Sequence, residues 1–223
     1  MSLEKDGVVP GQAVLFDLDG TFADTAPDLA AALNRLLVDE GLEPLPVERV
    51  RPFASAGARG LVHVGFGVKP GDVEYAALRE AFLEFYRERT CVETRLFPGI
   101  RELIDELKKR GIAWGIVTNK ALRFTERVLA ALELEPDCVV CGDSTPHLKP
   151  HPAPLLLAAE QLKLAPARCI YVGDDLRDIQ AARAAGMRPI AVQWGYHHPD
   201  SGHPGSWDAE AMITHPRDLI AHL

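Results

Sequence analysis

Basic residues are in short supply in this chain of 223 residues: 24 Lys and Arg face 32 Asp and Glu, for a formal net charge of -8. That deficit disfavours nucleic acid as a partner, because such binding depends on clustered cations. It also means that the field of the whole molecule does not draw in an anionic ligand, so local cations or a metal must do so. Cysteine is scarce as well. Four residues, Cys91, Cys138, Cys141 and Cys169, argue against a disulfide framework in a chain this long and point to a reducing cytoplasm. No apolar run approaches the roughly 20 residues needed to cross a bilayer. The N-terminus lacks the basic-then-apolar pattern of a secretory leader. Internal repeats and low-complexity tracts are missing too. What remains is a globular composition, 47% hydrophobic and 25% charged, with length for one core and an inserted lobe.

Short apolar runs read as buried strands at Ala13 to Phe16, Ala113 to Val117, Cys138 to Cys141, Cys169 to Val172 and Pro189 to Val192. Helical spacing lies between them: Ile100, Leu103, Ile104 and Leu107, then Phe124, Val128, Leu129 and Leu132, then 153–162 and 179–185, with Gly111 and Gly186 as stops. Strands alternating with helices predict an α/β fold, a parallel sheet covered on both faces. One stretch breaks the alternation. From about Pro27 to Thr90 only helical stripes appear, such as Leu29/Leu33/Leu36/Leu37 and Leu78/Phe82/Phe85. This predicts an inserted helical lobe, the cap, over residues 25–91, and a core made of residues 1–24 and 92–223. The chain is expected to re-enter the core near Leu96-Phe97-Pro98-Gly99.

Polar clusters follow several of the strands: Asp17/Asp19/Thr21, Thr118/Asn119 and Asp174/Asp175/Asp178, with Lys149 in a loop before a helix. Ligands of open parallel sheets bind outside the carboxyl ends of the strands, so these clusters should meet at one edge. Gathered carboxylates repel one another. At about 4 Å, two like charges cost roughly 4 kcal/mol at an effective dielectric near 20. A hard divalent cation with oxygen ligands relieves this, and Mg2+ suits it because it leaves room for a substrate phosphate. Asp17 is then the nucleophile that takes a phosphoryl group. Asp19, two residues on, is the acid for the leaving alcohol and later the base for water. Lys149 offsets charge. Thr118, Asn119 and the backbone N–H groups of the Gly20 turn hydrogen-bond the phosphate oxygens.

Phe16-Asp17-Leu18-Asp19-Gly20-Thr21, Val117-Thr118-Asn119-Lys120, Leu148-Lys149-Pro150 and Val172-Gly173-Asp174-Asp175-Leu176-Arg177-Asp178 resemble, in order, the four signature motifs of the haloacid dehalogenase superfamily. The likeness covers nearly the whole chain. It implies a Rossmann-like core with a helical cap between the first and second motifs. It also implies Mg2+ held by Asp17, the backbone carbonyl of Asp19, and Asp174, with Asp178 supporting. The second aspartate of Asp-x-Asp resembles the phosphatases of the family, not the dehalogenases. Two positions depart from the common pattern: Phe22 stands where Leu is usual and Asp175 where Ser is. The chain is similar to the phosphoglycolate phosphatase branch. Ser55-Ala56-Gly57-Ala58-Arg59 and Trp194-Gly195-Tyr196-His197-His198-Pro199 also resemble N-acetylmuramic acid 6-phosphate phosphatases of cell-wall recycling.

Other residues carry two readings each. Arg59, in a Gly-rich turn of the cap, either reaches a substrate anion or is a surface arginine. Asp175 reads as a helix N-cap. Asp178 reads as a supporting metal group or as a helix-surface carboxylate. The Cys138/Cys141 spacing suggests zinc or redox chemistry, but positions three apart on a strand face opposite ways, which favours packing. His197, His198 and His203 form either a zinc site or a solvated loop. The function expected is a Mg2+-dependent phosphomonoester hydrolase acting on a small metabolite, as a cytoplasmic monomer or homodimer. The rivals are a β-phosphoglucomutase-like phosphomutase, a phospho-accepting signalling domain without turnover, and a binding protein that has lost activity.

Overall fold

The computed structural model describes residues 11–223. Residues 1–10 of the expected core segment 1–24, with the reading of the N-terminus, lie outside the described residues. Six strands form one parallel sheet in the order β5-β4-β1-β6-β7-β8: β1 Ala13–Phe16, β4 Ala113–Val117, β5 Cys138–Val140, β6 Cys169–Gly173, β7 Arg188–Val192 and β8 Ala211–Ile213. Each central strand is hydrophobic on both faces because both are covered. Val14 and Phe16 point to one side, with Trp114, Ile116, Ile170 and Val172. Ala13 and Leu15 point to the other, with Val140, Cys169 and Tyr171. Helices α5 Ile100–Lys109 and α6 Leu122–Ala131 cover the first face; α7 Ala153–Gln161 and α8 Leu176–Ala185 cover the second.

Phe22 lies in the first of these layers, stacked on Trp114 with ring centroids 5.4 Å apart. The aromatic is accommodated because Trp114 opposite provides a flat partner. Cys138 is buried and Cys141 follows the end of β5, also buried. Burial pushes the Cys138 thiol up to about 12, so it packs as a small apolar group.

Between β2 Ala23–Asp24 and β3 Arg95–Leu96, which pair antiparallel, lie only helices: α1 Ala26–Asp39, α2 Val47–Val50, a 3-10 turn Arg51–Ala56, α3 Gly57–Phe66 and α4 Tyr75–Glu88. They share a core of Leu29, Leu33, Leu36, Leu37, Leu61, Val62 and Phe82. Each such buried side chain contributes about 1.5–3 kcal/mol relative to exposure. Two buried residues from outside the helical segment, Phe124 and Tyr196, pack into it. The two crossings are also tied together: Asp28 accepts hydrogen bonds from Glu93 N, Thr94 N and Thr94 Oγ1 at 2.7–3.0 Å.

Three details depart from the sequence reading. The strand β8 was not foreseen; it is three residues at an edge with Met212 exposed, too short for a period to register. The β2–β3 ladder has two residue pairs and carries no periodic signal either. Helix α8 begins at Leu176, three residues before the expected Ile179, because Asp175 is its N-cap: its side chain accepts from Arg177 N, and Asp178 closes a capping box.

Candidate active site

Strand register sets the site. Phe16 is level with Ile116 on one side and with Val172 on the other. Asp17 therefore leaves the sheet beside Val117-Thr118 and Gly173-Asp174, at the place where the chain order reverses around β1. The turn after Asp17 is fixed by Gly20, whose φ is +86° and where any Cβ would collide with the Asp174 carboxylate. Thr21 Oγ1 donates to Asp174 Oδ1 at 2.8 Å.

Asp17, Asp174 and Asp178 are buried, and one carboxylate oxygen from each lies within 4.8 Å of the others. Lys149 is the cation among them. Its Nζ donates to Asp178 Oδ1 at 2.8 Å, to Tyr171 Oη at 2.7 Å and to the Val117 carbonyl at 3.1 Å. It also lies 2.8 Å from Asp17 Oδ1, a charge contact, its three hydrogens being directed to the other three acceptors. One ammonium does not balance three carboxylates. Burial, with the charges of Asp17 and Asp178, pushes Asp174 well above the ordinary carboxylate range. Burial lifts Asp178 to about 7 against the pull of Lys149. A buried all-oxygen cluster with surplus negative charge fits a hard divalent cation.

These shifts have a measurable consequence. Folded-state values raised above the unfolded 3.8 mean that the fold holds those protons more tightly. Their contribution is complete below the unfolded value and is lost as pH rises through the folded one. Asp175, lowered by Arg177, and Lys149, raised by Asp17 and Asp178 against the opposing effect of burial, lose theirs outside this window. With divalent ions removed, the melting temperature should therefore fall between about pH 5 and pH 8, as followed by circular dichroism. A flat profile would count against the clustered carboxylates.

Asp19 is held apart from the cluster. Its Oδ1 accepts from Thr25 Oγ1 at 2.5 Å and pairs with Lys120 Nζ at 2.9 Å. Asn119 has a further role beside the expected one. Its carboxamide receives Lys149 N at 2.9 Å and donates to Lys149 O at 3.1 Å, so it anchors the lysine loop. Asp178 is buried, not on the surface. Asp175 pairs with Arg177, which also donates to the Ser55 carbonyl. Ser55 Oγ in turn donates to Asp174 Oδ2 at 3.1 Å. Tyr196 completes the frame: its N–H donates to Asp174 Oδ2, while its hydroxyl accepts from Thr25 N and Ala26 N and donates to Asp24 Oδ1.

Above this floor is a cavity of about 570 Å3 lined by Asp17, Asp19, Thr118, Asn119, Lys149, Asp178 and Arg59 among others. Arg59 thus opens onto the same space as the core residues. The three histidines do not gather. His197 Nε2 contacts the Val192 carbonyl, His198 meets the Phe53 ring, and His203 caps a 3-10 turn. Among the described residues, no helix is long and apolar enough to cross a membrane. Sequence reasoning passed over Lys120, Tyr171 and Arg177. Lys120 and Arg177 stand inside the second and fourth motifs; Tyr171 carries no signal beyond its apolar neighbours.

The family description "Haloacid dehalogenase-like hydrolase" matches residues 14–192, and the chain belongs to that family. An N-acetylmuramic acid 6-phosphate phosphatase of Pseudomonas aeruginosa is 43% identical over 94% of this chain and 93% of its own length. A phosphoglycolate phosphatase of Xanthomonas campestris pv. campestris is 40% identical over 93% and 94%. The crystal structure of a predicted phosphoglycolate phosphatase from Haemophilus somnus 129pt superposes with a TM-score of 0.83 at 26% identity, over 95% of this chain and 97% of that one. Within the family, the chain is a phosphatase.

Proposed function

We propose that this phosphatase hydrolyses N-acetylmuramic acid 6-phosphate, using Mg2+ and an aspartyl-phosphate on Asp17. Asp17, Asp174 and Asp178, with the Asp19 carbonyl, are the residues that would hold the ion. When bound, it neutralises charge on the transferring phosphoryl group. An Asp17 oxygen attacks phosphorus, and the P–O bond to the alcohol breaks. Asp19 gives that alcohol its proton, then takes one from the water that releases phosphate from Asp17. Lys149 and Thr118 support charge on the phosphoryl oxygens, and Asn119 positions Lys149. The helical segment over residues 25–91 acts as the cap that excludes bulk water.

The observation that carries the substrate is the size of the cavity, about 570 Å3. A two-carbon phosphoglycolate would leave most of it to water, whereas an amino-sugar phosphate fills a pocket of this class. Leu29, Ala54, Tyr75, Phe82 and Phe124 line it and offer apolar contact to a sugar ring and an acetamido methyl. The expected result is a kcat/KM for N-acetylmuramic acid 6-phosphate at least about tenfold above that for 2-phosphoglycolate. EDTA should stop both reactions, and Mg2+ should restore them. The reverse preference would move the assignment to phosphoglycolate; turnover indifferent to EDTA would remove the metal.

A further inference from the structure

Each carboxylate that lines the cavity already has a cation on its floor: Asp17 and Asp178 share Lys149, Asp19 pairs with Lys120 and Asp175 with Arg177. Three more cations line the same space without a carboxylate there to pair with: Arg59, Arg79 and Arg123. Arg59 and Arg123 make no ion pair within 4.0 Å among the described residues, and Arg79 has only a long one, 3.9 Å to its exposed neighbour Glu80.

Their placement is not what helix stability would select. Arg59 and Arg123 sit in the first turns of α3 and α6, neither of which has an acidic residue there. The first turn is the positive end of a helix, where a cation is unfavourable and an anion is welcome. Arg79 interrupts the stripe of α4 that faces the cavity, otherwise Tyr75, Phe82, Leu83 and Tyr86. Two helix starts and three guanidiniums thus surround one volume with positive potential, in a molecule whose net charge is -8.

We infer that Arg79 and Arg123, together with Arg59, form a second anion subsite that takes a carboxylate on the body of the substrate. The inference rests on the phosphatase reading above, and it commits to a carboxylate because both N-acetylmuramic acid 6-phosphate and phosphoglycolate carry one beyond the ester. The planar fork of arginine pairs with a carboxylate in bidentate fashion. The subsite selects by contrast: without the carboxylate, the arginines keep their water and nothing is gained.

Two substrate pairs test this, each differing by the acid group: N-acetylmuramic acid against N-acetylglucosamine 6-phosphate, and 2-phosphoglycolate against ethyl phosphate. The wild-type enzyme should prefer the acid of at least one pair by about 10- to 100-fold in kcat/KM, the range of a charge-assisted contact. Arg79→Met and Arg123→Met should each bring that ratio towards one, mainly through KM, with Arg79→Lys partly restoring it. Arg217→Met, on the remote surface, is the control and should keep the ratio. Equal rates within both pairs, or a ratio untouched by either substitution, would overturn the subsite. Turnover of p-nitrophenyl phosphate reports separately whether the phosphatase reading itself stands.

Discussion

Asp17→Asn should leave a folded protein with at least about 10,000-fold less turnover, the scale on which removal of a nucleophile is felt. The amide has nearly the same shape but no negative oxygen with which to attack phosphorus. Inactivity through misfolding is not expected. The charge of Asp17 raises the pKa of Asp174 and Asp178, so removing it relieves repulsion in a buried cluster. The melting temperature of the metal-free variant at neutral pH should equal or exceed that of the wild type. Steady-state assays on p-nitrophenyl phosphate together with thermal melts check both halves. Activity within about a hundredfold of wild type would take the covalent role away from Asp17.

The phosphomutase rival has the same first half-reaction and differs in what accepts the phosphoryl group. The signalling reading leaves Asp19 without work. Yet Asp19 is the carboxylate most deliberately kept out of the cluster, bonded to Thr25 at the start of α1 and to Lys120 at the start of α6. A group held between two elements near the reacting oxygen suits proton transfer on each turnover better than passive storage of a phosphate.

The sequence made the core legible where physics is local. Runs such as Ala13 to Phe16 and Cys169 to Val172 are strands with both faces buried, and the polar residue after each one falls at a sheet edge by topology alone. The all-helical stretch from α1 to α4 was legible through its leucine and phenylalanine periods. What the sequence could not carry is who meets whom across distance. Tyr171 reads as one more apolar strand residue, but its hydroxyl receives the Lys149 ammonium and donates to the Val117 carbonyl at 2.7 Å. Tyr196 bonds to Asp174 and also to Asp24, Thr25 and Ala26, 170 to 172 positions away, and no spacing rule reaches that far. Asn119 is expected at the phosphate because its residue type suits that role; only the fold reveals that both its polar atoms also serve the Lys149 backbone.

Lys149→Met should cost both activity and stability, and its pH dependence separates the two. The methionine keeps the unbranched stem but removes the cation that satisfies Asp178, Tyr171 and the Val117 carbonyl. Breaking a buried ion pair on one side costs about 3–5 kcal/mol, because the partner stays buried and uncompensated. Turnover should fall by at least about 1,000-fold, since the charge on the transferring group loses its fixed counter-ion. The lysine is what holds the Asp178 pKa down against burial, so the variant raises that value further. A group whose folded pKa is raised gives its full contribution below the unfolded value and loses it as pH rises. The stability deficit of Lys149→Met, measured by denaturant titration without metal, should therefore be largest near pH 8 and shrink towards about pH 5 as Asp178 takes up a proton. Activity should stay low throughout, because a protonated Asp178 restores the fold but not the missing ammonium. A deficit independent of pH would mean that the lysine holds the loop by packing alone, and that the carboxylates around it are not paying for each other's charge.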